Sequence, residues 1–339
     1  MFKDLIRACD MLKIPRHLGL MVLGLALAGC QTQHSSQVIA TAFNLSTKAQ
    51  QQWMERGAPQ DVVVQENITY HVEPNLRFDL YQAVHADQQA IQPTVVWIHG
   101  GGWISGSKTH ARGYFKRLAA AGYNVIALEY PLAPQYIYPT QLKHIDQALE
   151  FLRQNAVSLN IDATRMYLAG DSAGANLASH YAALVTTPQL AKHENLNITT
   201  EQAHIKGLIL HCGIYDLNAF VDTAPDEMRL VEWGVYQLVQ AYTGEQRHNR
   251  QLLKQLSPIQ HLTPNYPPVF ISGGNKDFLT KSQSLPFVQA LNAQNIPVKA
   301  VFYPDSKEWL LHEYQFFLNQ EASQATLQKT LDFLATYTP

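Results

Sequence analysis

The sequence predicts an α/β fold, a mainly parallel sheet with helices on both faces. Two observations carry that expectation. From Asp61 onward, strand-like β-branched runs alternate with segments of helical spacing, and several of those runs are apolar from end to end, as strands covered on both faces must be. Composition agrees. At 46% hydrophobic and 15% charged, the 339 residues hold ample material for a core and resemble neither a disordered nor a coiled-coil chain. The formal net charge of −2 and the scattered Lys and Arg exclude a basic surface for nucleic acid.

Residues 1–29 are expected to lie outside this fold, as a signal peptide. Lys3, Arg7, Lys13 and Arg16 precede an uncharged apolar run from Leu18 to Gly29, too short for a helix that must span a bilayer in ~20 residues. Asp4 and Asp10 sit oddly there, and a start at Met11 would remove both. The run ends Leu27-Ala28-Gly29-Cys30, which resembles the bacterial lipobox, in which the Cys is lipidated and becomes the first mature residue. The alternative is an ordinary signal with a chance Cys at its boundary. Acylation of Cys30, by palmitate among other chains, would anchor the protein to a lipid bilayer. Gln31 after the Cys implies, by the same resemblance, sorting to the outer membrane of a Gram-negative bacterium. Cys9 leaves with the signal and Cys30 takes lipid, so only Cys212 remains and no internal disulfide forms. No CxxC or Cys/His cluster suggests a metal site.

Residues 30–60, rich in Gln, Ser and Thr, read as a tether leading into a short helix near Ala49 to Arg56, ahead of a single domain over 61–339. Val62 to Tyr70 and Leu76 to Tyr81 suit an opening hairpin that adds an antiparallel edge. Thr94 to Ile98 is a compact strand, Arg112 to Ala121 a helix closed by Gly122, and Asn124 to Leu128 another buried strand. Leu142, Ile145, Leu149 and Leu152 place a helix over Gln141 to Gln154. Met166 to Ala169 is a very short strand before a small-residue helix that runs to about Val185. Ile205 to Leu210, Val269 to Ser272 and Val298 to Tyr303 are further strands, with helices at Gln283 to Ala293 and Ala322 to Thr336. One insertion, at about 220–256, breaks the alternation. Its helix, Met228 to Tyr242, carries Trp233, Tyr236 and Leu238, and reads either as a surface helix or as a cap over a pocket, the cap being favoured above strand carboxyl ends.

Gly170-Asp171-Ser172-Ala173-Gly174 falls between a strand and a helix, where G-x-S-x-G forms a nucleophile elbow. Glycines two residues either side relieve the clash of a tight turn, and Ser172 then projects at a helix N-terminus that favours a developing oxyanion. Alone, the motif is weak. His99-Gly100-Gly101-Gly102-Trp103, directly after a strand, is far more specific: three glycines let backbone N–H groups converge where side chains would intrude. A phosphate-binding loop is disfavoured, because neither a G-K-[ST] ending nor G-x-G-x-x-G spacing is present. Gly101, Gly102 and Ala173 are the expected oxyanion-hole donors, and His99 the residue that holds the loop.

A serine nucleophile needs a base and an orienting carboxylate, here in the chain order Ser, acid, His. His180 lies in the helix leaving the elbow and points away; His211 ends a strand and suits a polar role there. His312, after the last strand, returns over the elbow and is the expected base. Asp277, in the loop after Ile271 to Gly274, is the expected acid, with a helix N-cap as its bland alternative; Asp305, only seven residues before His312 on the same loop, is its rival.

These residues together resemble the hormone-sensitive-lipase-like carboxylesterases of the α/β-hydrolase superfamily. The resemblance rests on His99 to Trp103, Glu129-Tyr130-Pro131-Leu132-Ala133-Pro134, Gly170 to Asn176, Asp277 and His312, from about residue 60 to the C-terminus. It implies an α/β-hydrolase fold with a helical cap and a serine carboxylesterase that hydrolyses small or medium acyl esters through an acyl-enzyme, with no cofactor. It also makes Tyr130 and Pro134 structural supports of the active-site wall. The chain departs from the pattern in two places: Glu313-Tyr314 follow His312 where a small residue and Phe are usual, and Ala175 stands where a second Gly is common. The alternatives are a formamidase-like amide hydrolase, a longer-chain lipase, and a non-catalytic binding protein.

Overall fold

The structure is a computed structural model that describes residues 32–84, 92–222 and 229–337. The signal segment 1–29, Cys30 and the Met228 end of the insertion helix lie outside the described residues.

Eight strands form one sheet in the order β1-β2-β4-β3-β5-β6-β7-β8: β1 (Val62–His71), β2 (Leu76–Ala83), β3 (Pro93–Ile98), β4 (Asn124–Leu128), β5 (Asp162–Asp171), β6 (Ile205–His211), β7 (Val269–Gly273) and β8 (Val298–Phe302). Only β1–β2 and β2–β4 pair antiparallel; the rest are parallel. Every residue of β3 and β4 is buried, the end-to-end apolar signature of a two-sided sheet. β5 is longer than the run Met166 to Ala169 suggests. Its neighbours extend it, with Asp162 opposite Pro93 at one end and Asp171 opposite His211 at the other.

The longer helices are α1 (Thr32–Glu55), α2 (Arg112–Ala120), α3 (Thr140–Gln154), α4 (Ala173–Thr186), α5 (Arg229–Thr243), α6 (Leu285–Ala293) and α7 (Glu321–Thr336). One core lies on the face covered by α3 and α4, where Leu142, Leu149, Leu177 and Tyr181 meet Val96, Ile126 and Leu168. The other lies under α2 and α7, where Phe115, Leu118 and Phe333 meet Trp97, Ala127 and Phe270. Alternate residues of one strand thus serve opposite cores, as the two-residue period requires.

The expected tether at 30–60 is corrected. From Thr32 the chain is a 24-residue helix rather than a tether ending in a short helix at Ala49. Polar composition suggested a linker, but no Gly or Pro interrupts Thr32 to Glu55, and Ile39, Phe43, Gln50 and Met54 recur at helical spacing. Tertiary contacts hold this face: Ile39 packs on the main core, Met54 is sealed in the second, and Gln51 donates to the Thr109 carbonyl at 2.9 Å.

α5, in the insertion between β6 and β7, packs against α1. Tyr242 stacks on Trp103, with ring centroids 4.6 Å apart and planes 6° apart, and its carbonyl accepts from the Tyr138 N–H at 2.9 Å. The insertion therefore lies over the oxyanion loop.

Candidate active site

The carboxyl ends of β3, β5, β6 and β7 and the loop after β8 converge on one point. Ser172 sits in the turn from β5 to α4 with φ 51° and ψ −120°, a conformation unfavourable for a residue with a Cβ. The surroundings hold it there. Its N–H donates to the His211 carbonyl (2.9 Å), and its carbonyl accepts from Asn176 N–H (3.2 Å). The flanking glycines are obligatory: a Cβ at Gly174 would stand 2.0 Å from the Ile98 carbonyl oxygen, and one at Gly170 would stand 2.5 Å from the Gly174 carbonyl carbon.

His312 Nε2 lies 3.1 Å from Ser172 Oγ, and its Nδ1 lies 2.9 Å from Asp277 Oδ2. The other Asp277 oxygen accepts from Leu279 N–H at 3.0 Å. The carboxylate thus also serves the following turn, so the capping alternative and the role beside His312 hold together. The three residues sought in sequence are in hydrogen-bond sequence, while Asp305 is exposed on the surface. Two other histidines weighed as the base are engaged by other side chains. His180 is sealed against Glu194 at 3.0 Å, and His211 Nδ1 meets Ser272 Oγ at 2.7 Å.

Burial alone would lower the pKa of His312, but the adjoining Cys212 sulfur and Asp277 carboxylate outweigh it and hold the imidazole well above its ordinary value. Cys212 is itself pushed up to about 11 by burial, so at neutral pH it is an uncharged thiol, and the effect on His312 there comes from the Asp277 carboxylate 2.9 Å from Nδ1. The His312 side chain is 37% exposed, and water on that side weakens the effect without reversing it.

Gly101 (φ 109°) and Gly102 (φ 60°) turn the chain where a side chain cannot go: a Cβ would meet the Ser105 carbonyl oxygen at 2.4 Å and Leu238 Cδ2 at 2.6 Å respectively. The N–H groups of Gly101, Gly102 and Ala173 make no hydrogen bond among the described residues, so all three are free to bind an oxyanion. His99 is buried, its Nδ1 2.8 Å from the Gly100 carbonyl oxygen and its ring stacked on Tyr130 at 4.3 Å. Tyr130 Oη donates to the His99 carbonyl at 3.0 Å. Burial drives the His99 pKa down to about 4, which keeps it neutral and suits it to holding the loop rather than to base chemistry.

Sequence reasoning passed over a second cluster behind Ser172. Asp171 accepts from Trp97 Nε1 (2.8 Å) and Gly100 N–H (2.9 Å) and pairs with His110 Nε2 (3.2 Å). Glu313, next to His312, places a carboxylate oxygen 4.0 Å from the same His110 nitrogen. Two groups have metal-ligand spacing among the described residues, His110–Asp171–Glu313 and Cys212–Asp277–His312. In the first, His110 Nε2 faces Asp171 Oδ2 at 3.2 Å, and in the second, His312 Nδ1 meets Asp277 Oδ2 at 2.9 Å.

A BD-FAE family model matches residues 78–291, which include Ser172, Asp277 and the glycine loop. The chain belongs to the BD-FAE family. This BD-FAE member is 28% identical over 204 residues to "Esterase LipC" of Mycobacterium tuberculosis, covering 59% of this chain and 48% of that protein. It is 26% identical over 246 residues to "Isoprenylcysteine alpha-carbonyl methylesterase ICME" of Arabidopsis thaliana, covering 71% and 55%. The chain thus spans about half the length of the curated relatives it matches. Among solved structures, a phosphonate-inhibited esterase B from Lactobacillus rhamnosis superposes with TM-score 0.74 at 21% identity, covering 89% of this chain and 95% of that one. An esterase of Pyrobaculum calidifontis gives 0.69 at 20% identity, covering 90% and 94%. These neighbours establish the α/β-hydrolase fold that the motifs imply.

Proposed function

We propose that this BD-FAE family member is a serine carboxylesterase acting on small or medium acyl esters. The supporting observation is the continuous sequence Ser172 Oγ, His312 Nε2, His312 Nδ1, Asp277 Oδ2 at 3.1 and 2.9 Å. In this reading His312 takes the Ser172 proton as Oγ attacks the ester carbonyl, and Asp277 fixes the tautomer and stabilises the imidazolium. The oxyanion forms against the N–H groups of Gly101, Gly102 and Ala173, each such donor contributing ~3 kcal/mol to lowering the barrier. His312 returns the proton to the leaving alcohol. It then deprotonates a water that attacks the acyl-enzyme, and the acid product leaves as Ser172 is regenerated.

Leu238 of α5 and Phe43 of α1 stand 2.6 and 3.3 Å from where a Gly102 Cβ would be, so apolar side chains close over the oxyanion loop. The test is hydrolysis of p-nitrophenyl esters from acetate to palmitate, with an N-formyl aromatic amide in parallel. Activity greatest at short chains is expected. Preference for the amide would favour the formamidase-like alternative, a rise toward palmitate the lipase alternative, and inactivity on all of them the non-catalytic one.

We further propose that the protein is exported and held at the outer membrane of a Gram-negative bacterium by acylation of Cys30. The support is the Leu27 to Cys30 sequence after a basic segment and an apolar run. No helix among the described residues is long and apolar enough to cross a membrane. Metabolic labelling with palmitate should mark the wild type and not Cys30→Ser. Equal labelling of both would contradict the proposal.

A further inference from the structure

The geometry points to a role for Glu313 as a positioning residue that, through His110 and Asp171, locks the loop bearing His312 onto the nucleophile elbow and the oxyanion loop. This rests on the reading of Ser172 as the nucleophile and His312 as its base.

Three parts of the site come from segments far apart in sequence, and one buried cluster touches them all. Asp171 is covalently next to Ser172. Its Oδ2 accepts from Gly100 N–H at 2.9 Å, which fixes the start of the oxyanion loop. Its Oδ1 accepts from Trp97 Nε1 at 2.8 Å, which ties it to β3. His110, in the turn before α2, stands 3.2 Å from Asp171 and 4.0 Å from Glu313. Glu313 closes the circuit from the other side, one residue after His312.

The backbone reports the same requirement. Glu313 has φ 59° and ψ 29°, a left-handed conformation that a glycine would adopt without cost and a glutamate adopts only when held. A residue chosen for the turn alone would be small. Here a long acid occupies the position, with its side chain directed inward and only 16% exposed. Its Oε1 lies 3.1 Å from where a Cβ on Gly100 would stand, so it fills the space that this glycine leaves behind the oxyanion loop.

The charges select the form of Glu313 that does this. The titratable groups facing it are His110, Asp171 and His312. Asp171 and the His110 imidazolium already neutralise each other, so an ionised Glu313 would add an uncompensated negative charge to a sealed site. Protonated, its carboxyl can donate to Asp171 and bridge the two loops. Burial, with the nearby Asp171 charge adding to it and the His110 charge opposing it, lifts Glu313 to about 7, so the bridge is made below neutrality and released above it. Ionisation breaks a shared proton and sets two carboxylates against each other beside the His312 loop.

The experiment compares the full-length wild type with Glu313→Gln and Glu313→Ala. Two readouts are taken from pH 5.5 to 8: kcat and KM on a short-chain p-nitrophenyl ester, and the rate at which a fluorophosphonate labels Ser172. Glutamine keeps the donor to Asp171 and cannot ionise. The ratio of kcat in Glu313→Gln to wild type should stay within about twofold of unity below pH 6, then climb through an inflection near pH 7 to about fivefold or more at pH 8. Glu313→Ala, which frees the loop, should lower kcat by about 10- to 100-fold with KM within about twofold, because misplacement of a reacting group by ~1 Å costs that much. Labelling should follow kcat in both variants. A ratio flat across the range, or Glu313→Ala with wild-type kcat, would overturn the proposal. A wild type that is inactive on esters and refractory to the fluorophosphonate would overturn the hydrolase reading and this inference with it. Ester inactivity with labelling that follows the predicted pH pattern would sink the esterase reading alone and support the positioning role.

Discussion

Replacing Asp171 with Asn tests how much the sealed cluster contributes to the fold. The carboxylate has two acceptor oxygens, one receiving Trp97 Nε1–H at 2.8 Å and the other Gly100 N–H at 2.9 Å, with His110 Nε2 at 3.2 Å. An amide has one oxygen. Whichever way it is flipped, its NH2 faces an N–H donor, and His110 loses its counter-ion in a site closed to water. Removing one partner of a buried pair costs about 3–5 kcal/mol. With ~2.1 cal/mol/K of unfolding entropy per residue over roughly 300 residues, each kcal/mol moves the midpoint by about 1.6 °C, so Tm should fall by about 5–8 °C.

That loss has a pH signature. Burial alone would raise the pKa of Asp171, but the His110 charge and the donors around it prevail and depress it to about 2. Its stabilisation is therefore present above the unfolded carboxyl value of ~3.9 and is lost as pH falls through about 2. Burial alone would lower the pKa of His110, but Asp171 prevails and raises it to about 9. Its stabilisation is complete below the unfolded imidazole value of ~6.5 and is lost as pH rises through about 9. The pair thus contributes fully between about pH 4 and 6.5. Calorimetry at pH 6 and at pH 9.5 should show the larger gap between wild type and Asp171→Asn at pH 6. A gap below about 1 °C at pH 6, or one that widens toward pH 9.5, would refute the reasoning.

Other consequences follow from single contacts. Asp277→Asn should leave KM near the wild-type value and reduce kcat by about 10⁴-fold, since the amide cannot stabilise the working His312 tautomer. In wild type kcat/KM should rise with pH through a midpoint above the ordinary imidazole value of ~6.5, because the base must be neutral and its charged form is favoured by the Asp277 carboxylate 2.9 Å away; a midpoint below 6 in a pH–rate profile would contradict this. Gly101→Ala would drive a methyl to 2.4 Å from the Ser105 carbonyl oxygen at a φ of 109°, and should lower kcat by about 10²- to 10³-fold while circular dichroism stays native. Cys212, fully buried and pushed up to about 11, should escape iodoacetamide at pH 8 in the folded protein and react once it is unfolded, as peptide mass spectrometry would show.

The parts of the site legible in sequence are those whose geometry is local. The glycines at 100–102, 170 and 174 announce a backbone with no room for Cβ; at Gly101, Gly170 and Gly174 the clashing neighbours belong to the strand-to-loop turns themselves, while at Gly102 they are Leu238 and Phe43, which only the folded chain brings there. Asp277 and His312 could be placed because each follows a recognisable strand, even though the residues are 35 apart. The cluster behind Ser172 was not legible in that way. His110, Asp171 and Glu313 come from three segments that only the folded sheet brings together. One signal was present. A charged residue between an apolar strand and a small-residue helix must be buried, and a buried carboxylate needs donors and a cation. Glu313, where a small residue is usual, was a second signal, and it acquires a meaning only once His110 is seen beside it. α1 is hidden in the sequence for the opposite reason. Its polar composition described its outer face, while a sparse stripe through Ile39, Phe43, Gln50 and Met54 fixed its structure through contacts the sequence does not display.

The central claim is that Ser172 is the nucleophile activated by His312. Intact and peptide mass spectrometry after exposure to a fluorophosphonate tests it most directly. The wild type should gain one phosphonyl group, located on Ser172; Ser172→Ala should gain none, and His312→Ala should react slower by orders of magnitude. Labelling of another residue, or of Ser172 at an undiminished rate without His312, would contradict it.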